Sequence, residues 1–88
     1  MITKDYTLMA PDGIHARPAT ALIRLIRTFK AQVSMKKGDR EVVLTSMLQI
    51  LSLVPKNGDT ITITVTGEDE RSAFDAIDTF FSDQLSAA

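Results

Sequence analysis

Along this 88-residue chain, the hydrophobic positions switch between a period typical of strands and one typical of helices. Residues 2–9 and 60–66 alternate between polar and apolar side chains, and the second segment reads Thr-Ile-Thr-Ile-Thr-Val-Thr. Both patterns predict half-buried β-strands. Shorter runs at 32–36 and 40–44 flank Lys37-Gly38-Asp39, which predicts a hairpin that turns at the glycine. We therefore expect four strands.

Three segments carry apolar residues at the helical period instead. Residues 16–29 place an apolar stripe on one side of a helix, and residues 70–85 place a second one, rich in phenylalanine, on another. Between them, Ser46 followed three residues later by Gln49 fits a capping box that opens a short helix through Leu53. The order βαββαβα, with strands in one layer and helices in the other, predicts an α+β fold.

Composition restricts the function more than the fold. The 10 basic and 11 acidic side chains give a formal charge of −1, which excludes the strongly basic surface of a non-specific nucleic-acid binder. The absence of cysteine excludes disulfides, thiolate catalysis and Cys-ligated metal sites. Neither a signal peptide nor the roughly 20 apolar residues of a membrane span is apparent. We expect a soluble intracellular protein with one small domain, residues 1–88, and no deep substrate cavity.

The only histidine lies where a loop enters the first helix, in Gly13-Ile14-His15-Ala16-Arg17-Pro18-Ala19. The first N–H groups of a helix have no partner within it, so together with the helix dipole they favour an anion beside this ring. Pro18 is tolerated there because its missing N–H would have been unpaired in any case. Arg17 adds a guanidinium suited to phosphate oxygens. This combination points to phosphoryl transfer onto His15.

Simpler interpretations remain open from the residues alone. His15 could cap the helix or be an ordinary surface residue, and Arg17 could be surface charge, although a cation in the first helical turn opposes the dipole. A single histidine without cysteine or a nearby carboxylate cluster offers too few ligands for a metal. Asp12 with no serine beside His15 does not indicate a hydrolase. We expect neither a metal nor a cofactor.

The segment around His15 resembles the active-site signature of HPr, the histidine-containing phosphocarrier of the bacterial sugar phosphotransferase system. The similarity extends over essentially the whole chain and includes Thr45-Ser46, the short helix 47–53, the turn at Asn57-Gly58 and residues 67–70 before the last helix. The resemblance implies an open-faced two-layer sandwich, in which three helices cover one face of a four-stranded antiparallel sheet.

The resemblance also implies a role for each matching residue. His15 would accept a phosphoryl group on Nδ1 from phospho-enzyme I, with phosphoenolpyruvate as the ultimate donor, and pass it to sugar-specific enzyme IIA proteins. Arg17 would steady the phosphoryl group beside the Ala16 amide, and Pro18 would fix the helix start. The protein would then be a cytoplasmic, monomeric carrier that is phosphorylated stoichiometrically and is not an enzyme.

Regulation and docking form the last part of this resemblance. Ser46 matches a serine that HPr kinase/phosphorylase modifies in many bacteria, although Thr45 and Gln49 here replace the Lys and Gly of Gram-positive members. Partner docking would use Thr20, Arg24, Arg27, Met47, Leu48 and Leu51. The alternative function is a regulatory HPr-like protein of the nitrogen-related or catabolite-control branch, acting mainly by partner binding. We expect no binding to nucleic acid and no membrane insertion.

Overall fold

In the computed structural model, which describes residues 1–84, three helices pack on a four-stranded antiparallel sheet. The strands are β1 (Ile2–Thr7), β2 (Gln32–Lys37), β3 (Arg40–Val43) and β4 (Thr60–Thr66), and the helices are α1 (Ala16–Ile26), α2 (Met47–Ser52) and α3 (Glu70–Gln84). The order βαββαβα and the antiparallel sheet confirm the predicted fold class. Leu85, the predicted end of the last helix, lies outside the described residues.

The sheet is built around β4, so that the strands lie in the order β1-β4-β2-β3. Because side chains alternate along a strand, β4 buries Ile61, Ile63 and Val65 completely against the helices. The intervening threonines lie on the opposite face, where Thr62 Oγ1 donates a hydrogen bond to Asp5 of β1 (2.6 Å). The alternation predicted for residues 60–66 is therefore confirmed on both faces.

Apolar side chains from every helix meet the sheet in one continuous core. Helix α3 buries Ala73, Ile77 and Phe81. The ring of Phe81 stacks on Tyr6 of β1, with the ring centroids 4.4 Å apart, and the Tyr6 hydroxyl donates a hydrogen bond to Asp78 (2.7 Å). Burial is the largest cause that raises the pKa of Tyr6 above its ordinary value, followed by this hydrogen bond. These contacts fix α3 against the edge of the sheet.

Helix α1 ends at Ile26 and not at Phe29 as predicted. The hydroxyl of Thr28 donates to the carbonyl of Leu25 (2.7 Å), an interaction that competes with continuation of the helix. Beyond the helix, the two carboxylate oxygens of Asp69 accept amide hydrogen bonds of 2.8 Å from the two residues that precede β2. The chain therefore turns into the sheet earlier than hydrophobic periodicity indicates, while the Phe29 ring still packs against the core.

Most other boundaries differ from the prediction by one or two residues. Strand β1 ends at Thr7, β3 ends at Val43, β2 continues to Lys37 and α2 ends at Ser52. Leu8 and Leu44, which were expected within strands, are still buried. Within residues 1–84, no helix has both the length and the apolar character needed to cross a bilayer.

The capping box predicted at the start of α2 is not formed. Ser46 is the N-cap residue with an extended backbone (φ −155°, ψ 164°), but its hydroxyl makes no hydrogen bond to the helix. The Gln49 amide instead donates to the carbonyl of Ser46 (3.1 Å), which closes a tight turn of the 3₁₀ type. The Ser46 side chain is therefore not used to stabilise α2.

Candidate functional site

His15 occupies the N-cap position of α1. Its backbone is extended (φ −97°, ψ −174°), its side chain is exposed, and its ring makes no capping hydrogen bond. The His15 carbonyl accepts the first helical hydrogen bond from the amide of Ala19 (3.0 Å). The backbone of His15 thus begins the helix, while the imidazole projects where another molecule can reach it.

The two residues after His15 present unpaired backbone N–H groups at the same place. Within residues 1–84, the amides of Ala16 and Arg17 donate to no acceptor, and Pro18 has no N–H to donate. Unpaired amides at the positive end of the helix dipole favour an anion of phosphate size. The Arg17 side chain is exposed and forms no ion pair with a carboxylate of the described chain.

The loop that leads to His15 is held against the loop that follows α2. The Ile14 amide donates to the carbonyl of Pro55 (3.1 Å), and Gly13 lies so close that a Cβ added there would be 2.1 Å from that oxygen. Gly13 also has φ +62°, which favours glycine. The contribution of Pro55 is not predictable from the sequence, because a contact between distant loops leaves no periodic signal.

A second group of predicted residues lines a cleft between α1 and α2. This cleft, of about 310 Å³, is lined by Thr20, Ile23, Arg24, Arg27, Ser46 and Met47. Arg27 donates to the carbonyl of Thr45 (3.3 Å), and Thr20 Oγ1 lies 3.1 Å from the sulfur of Met47. Neither Arg24 nor Arg27 forms an ion pair within residues 1–84, so the positive charge of this face is not neutralised there.

The cleft and the start of α1 belong to one surface. A shallower depression lined by Ala16, Arg17, Thr20, Ala21 and Arg24 shares two of its residues with the cleft. On α2, the side chain of Leu48 is 70% exposed and that of Leu51 is partly buried, but neither lines the cleft or the depression. The structure therefore brings four of the six predicted docking residues and the residues after His15 onto adjoining parts of one face, namely Thr20, Arg24, Arg27 and Met47 beside Ala16 and Arg17.

Residues 1–84 contain no group of three or more histidine or carboxylate side chains placed to hold a metal ion. The chemistry available at this face is therefore that of an exposed imidazole, unpaired amides, guanidinium groups and the hydroxyl of Ser46. An arrangement of this kind suits the binding and transfer of a phosphoryl group.

Comparison with known proteins supplies an independent line of evidence. Residues 2–83 match the family model described as the PTS HPr component phosphorylation site. The chain is 35% identical over 83 residues to the phosphocarrier protein HPr of Lysinibacillus sphaericus, with 94% of each chain covered. It is 34% identical over 77 residues to that of Cupriavidus necator, with 88% of this chain and 86% of the relative covered.

A solved structure of the histidine-containing phosphocarrier protein from Mycoplasma has the same fold. It superposes with a TM-score of 0.89 at 26% sequence identity and covers 93% of each chain. The likeness therefore extends over most of the fold.

Proposed function

Because this chain belongs to the HPr family of phosphocarrier proteins, we propose that His15 is the residue that carries its phosphoryl group. The group is accepted from phospho-enzyme I, with phosphoenolpyruvate as the ultimate donor, and delivered to sugar-specific enzyme IIA proteins. One observation carries the proposal: the exposed His15 ring stands at the N-cap of α1, directly before the unpaired amides of Ala16 and Arg17.

The chemistry at His15 is an in-line displacement at phosphorus. The lone pair of the Nδ1 atom forms the new N–P bond, while the N–P bond of the donor phosphohistidine breaks and its electron pair stays on the donor nitrogen. The amides of Ala16 and Arg17 and the helix dipole stabilise the negative oxygens of the transferred group. The Arg17 guanidinium donates additional charge-assisted hydrogen bonds. No cofactor is part of this step.

Docking of the partner proteins uses the surface that adjoins His15. Arg24 and Arg27 give it positive charge, and Ile23 and Met47 give it apolar area. A surface of this kind fits partners with an acidic rim around an apolar patch, because complementary charge speeds the encounter and apolar contact slows dissociation. Specificity then comes from the docking surface.

We further propose that phosphorylation of Ser46 weakens this docking. The Ser46 hydroxyl is free of any capping bond and lines the same cleft as Arg24 and Arg27. A phosphate there adds a charge of roughly −1.5 to −2 at pH 7. This negative charge offsets the positive charge that attracts acidic partners. Thr45 and Gln49 differ from the usual sequence around this serine, so an HPr kinase from another species is expected to act on it slowly.

A reconstituted relay tests the carrier function. Labelled phosphoenolpyruvate, enzyme I, this protein and an enzyme IIA are mixed, and label on the IIA protein is measured after denaturing separation. We expect transfer that depends on this protein and disappears with His15→Ala. Ser46→Ala is the matched control, because it also alters a helix N-cap on this face and should retain transfer. Unchanged transfer with His15→Ala would contradict the proposal.

The same mixture separates the carrier from a regulator that acts only by binding. A regulator would bind its partners without acquiring label, whereas the carrier is labelled before the IIA protein is added. Acid lability of the label on this protein is expected, because phosphohistidine hydrolyses in acid. An acid-stable label would indicate phosphorylation of a hydroxyl group and would count against His15.

A further inference from the structure

The loop after α2 forms the support on which the His15 loop rests. The amide of Leu8 donates to the carbonyl of Asp59 (2.9 Å), and the Gly58 amide donates to the carbonyl of Leu8 (2.8 Å). Six residues further on, the Ile14 amide donates to Pro55 (3.1 Å). Residues 54–59 therefore hold the segment before α1 near both of its ends, and one of these bonds is made by Ile14, the residue adjacent to His15.

The side chain of Lys37 in the sheet contacts both ends of the loop formed by residues 54–59. The Lys37 ammonium, at the end of β2, donates to the carbonyl of Val54 (2.7 Å) and pairs with Asp59 Oδ2 (2.9 Å). The same carboxylate oxygen accepts the amide of Lys56 (2.8 Å). Only 28% of the Lys37 side chain and 29% of the Asp59 side chain are exposed. The pair is thus more shielded from solvent than Lys30–Glu68, whose side chains are 81% and 72% exposed.

The loop that Lys37 contacts contains a strained backbone conformation at Val54. Val54 has φ +49°, in the left-handed region that β-branched residues rarely occupy, and it precedes Pro55, which further restricts its backbone. A backbone held in such a state persists because its surroundings determine it, and states of this kind concentrate near functional sites. The hydrogen bond from Lys37 to the Val54 carbonyl acts directly on the strained residue.

We propose that Lys37 and Asp59 are positioning residues for phosphoryl transfer at His15. They act through the loop: Lys37 and Asp59 fix residues 54–59, Pro55 fixes Ile14, and Ile14 fixes the ring relative to the free amides of α1. The inference rests on the proposed function of His15. Transfer in line requires the attacking nitrogen and the phosphate-binding amides to be aligned, and a displacement of about 1 Å can cost as much as roughly a hundredfold in rate.

Three substitutions in the full chain test the inference. Lys37→Met removes the ammonium but keeps a long stem, Asp59→Asn keeps the shape and removes the charge, and Lys37→Arg retains a cationic donor. Lys36→Met is the matched control, because Lys36 is the neighbouring residue of β2, exposed on the other face of the sheet. The free energy of unfolding is first measured for each variant. The kinetic measurements are then made under conditions in which every variant is folded.

The first readout is hydrogen exchange of the Ile14 amide, followed by NMR without any partner protein. We expect Lys37→Met and Asp59→Asn to speed this exchange by about tenfold, because its bond to Pro55 opens more often. Lys37→Arg should restore most of the protection, and Lys36→Met should leave it within about twofold of the original. Unchanged protection in both Lys37→Met and Asp59→Asn would overturn the inference.

The second readout separates kcat from KM for transfer from phospho-enzyme I. We expect both neutralising variants to lower kcat by about tenfold and to leave KM nearly unchanged, because alignment and not docking is impaired. If Lys37 instead attracted an acidic partner, Lys37→Met would raise KM and Asp59→Asn would lower it. Opposite effects of this kind, or an equal loss with Lys36→Met, would contradict the positioning role.

The two readouts also distinguish failure of this inference from failure of the proposed function. If the wild-type chain accepted no phosphoryl group, the carrier proposal would fail. Hydrogen exchange of the Ile14 amide would still show whether Lys37 and Asp59 hold the loop in place. If the wild type accepted phosphate normally and Lys37→Met transferred as fast, the carrier proposal would stand and the positioning role would be refuted.

Discussion

Gly13→Ala is expected to destabilise the protein far more than Gly38→Ala, although both glycines have almost the same backbone angle. Their φ values are +62° and +60°. An L-residue in this left-handed region costs about 1–2 kcal/mol, and both variants regain about 0.4–1 kcal/mol because alanine restricts the unfolded chain. These two contributions cancel when the variants are compared.

The remaining difference comes from the space around each glycine. A Cβ on Gly38 meets nothing within 4 Å, whereas on Gly13 it would lie 2.1 Å from the Pro55 oxygen and 2.9 Å from the Cα of Lys56. Relief of this overlap requires the two loops to separate, at an overpacking cost of about 1–3 kcal/mol. The separation also stretches the Ile14–Pro55 hydrogen bond, which contributes about 1 kcal/mol. Gly13→Ala should therefore be less stable than Gly38→Ala by at least about 2 kcal/mol.

Urea unfolding followed by circular dichroism measures this difference. A chain of this size has a denaturant slope of about 1 kcal/mol per M, so the midpoint of Gly13→Ala should lie roughly 2 M below that of Gly38→Ala with an unchanged slope. Midpoints within about 0.5 M of each other would refute the close approach of Gly13 to Pro55.

Three further outcomes are expected. Val54→Gly should stabilise the protein by up to about 1 kcal/mol in urea unfolding, since relief of φ +49° at a side chain that is 55% exposed gains about 1–2 kcal/mol, whereas the freer unfolded chain costs about 0.4–1 kcal/mol; a loss of more than about 1 kcal/mol would refute that strain. Tyr6→Phe should cost about 1–2 kcal/mol, because it removes the hydrogen bond to Asp78 while keeping the ring; a change below about 0.3 kcal/mol would contradict it. Hydrogen bonds from Lys4 and then Tyr6 lower the pKa of Asp78 below its ordinary 3.8, so their stabilisation is present above about pH 4 and is lost as pH falls through the lowered pKa. As the pH is lowered, the free energy of unfolding of Asp78→Asn should fall less than that of the wild type. An equal fall in the two proteins would contradict this.

The strands and helices could be predicted because burial on one face leaves a periodic pattern. The alternation of residues 60–66 and the stripe ending in Phe81 each indicate the face that packs against the core. Element ends were less predictable, since they depend on side chains from elsewhere in the chain. The Asp69 carboxylate accepts hydrogen bonds from two backbone amides that follow α1, and the sequence around Phe29 gives no indication of this contact.

The candidate site shows the same division. The position of His15 at the start of α1 follows from local signals, namely Pro18 and the apolar stripe of residues 16–29. The loop behind it does not, because the bonds from Ile14 to Pro55 and from Lys37 to Val54 join residues that are distant in the sequence. The backbone conformation of Val54 is also not predictable from the sequence. A β-branched residue disfavours positive φ, so this conformation is imposed by the surrounding structure.

Phosphorus NMR of the chain after reaction with phosphoenolpyruvate and enzyme I shows whether His15 carries the phosphoryl group. We expect one phosphoramidate signal that is coupled to Nδ1 of His15 in ¹⁵N-histidine-labelled protein, is lost on acidification and is absent from His15→Ala. A phosphoryl group on another residue, or no signal from wild-type chain in a mixture where an established HPr becomes phosphorylated, would contradict it.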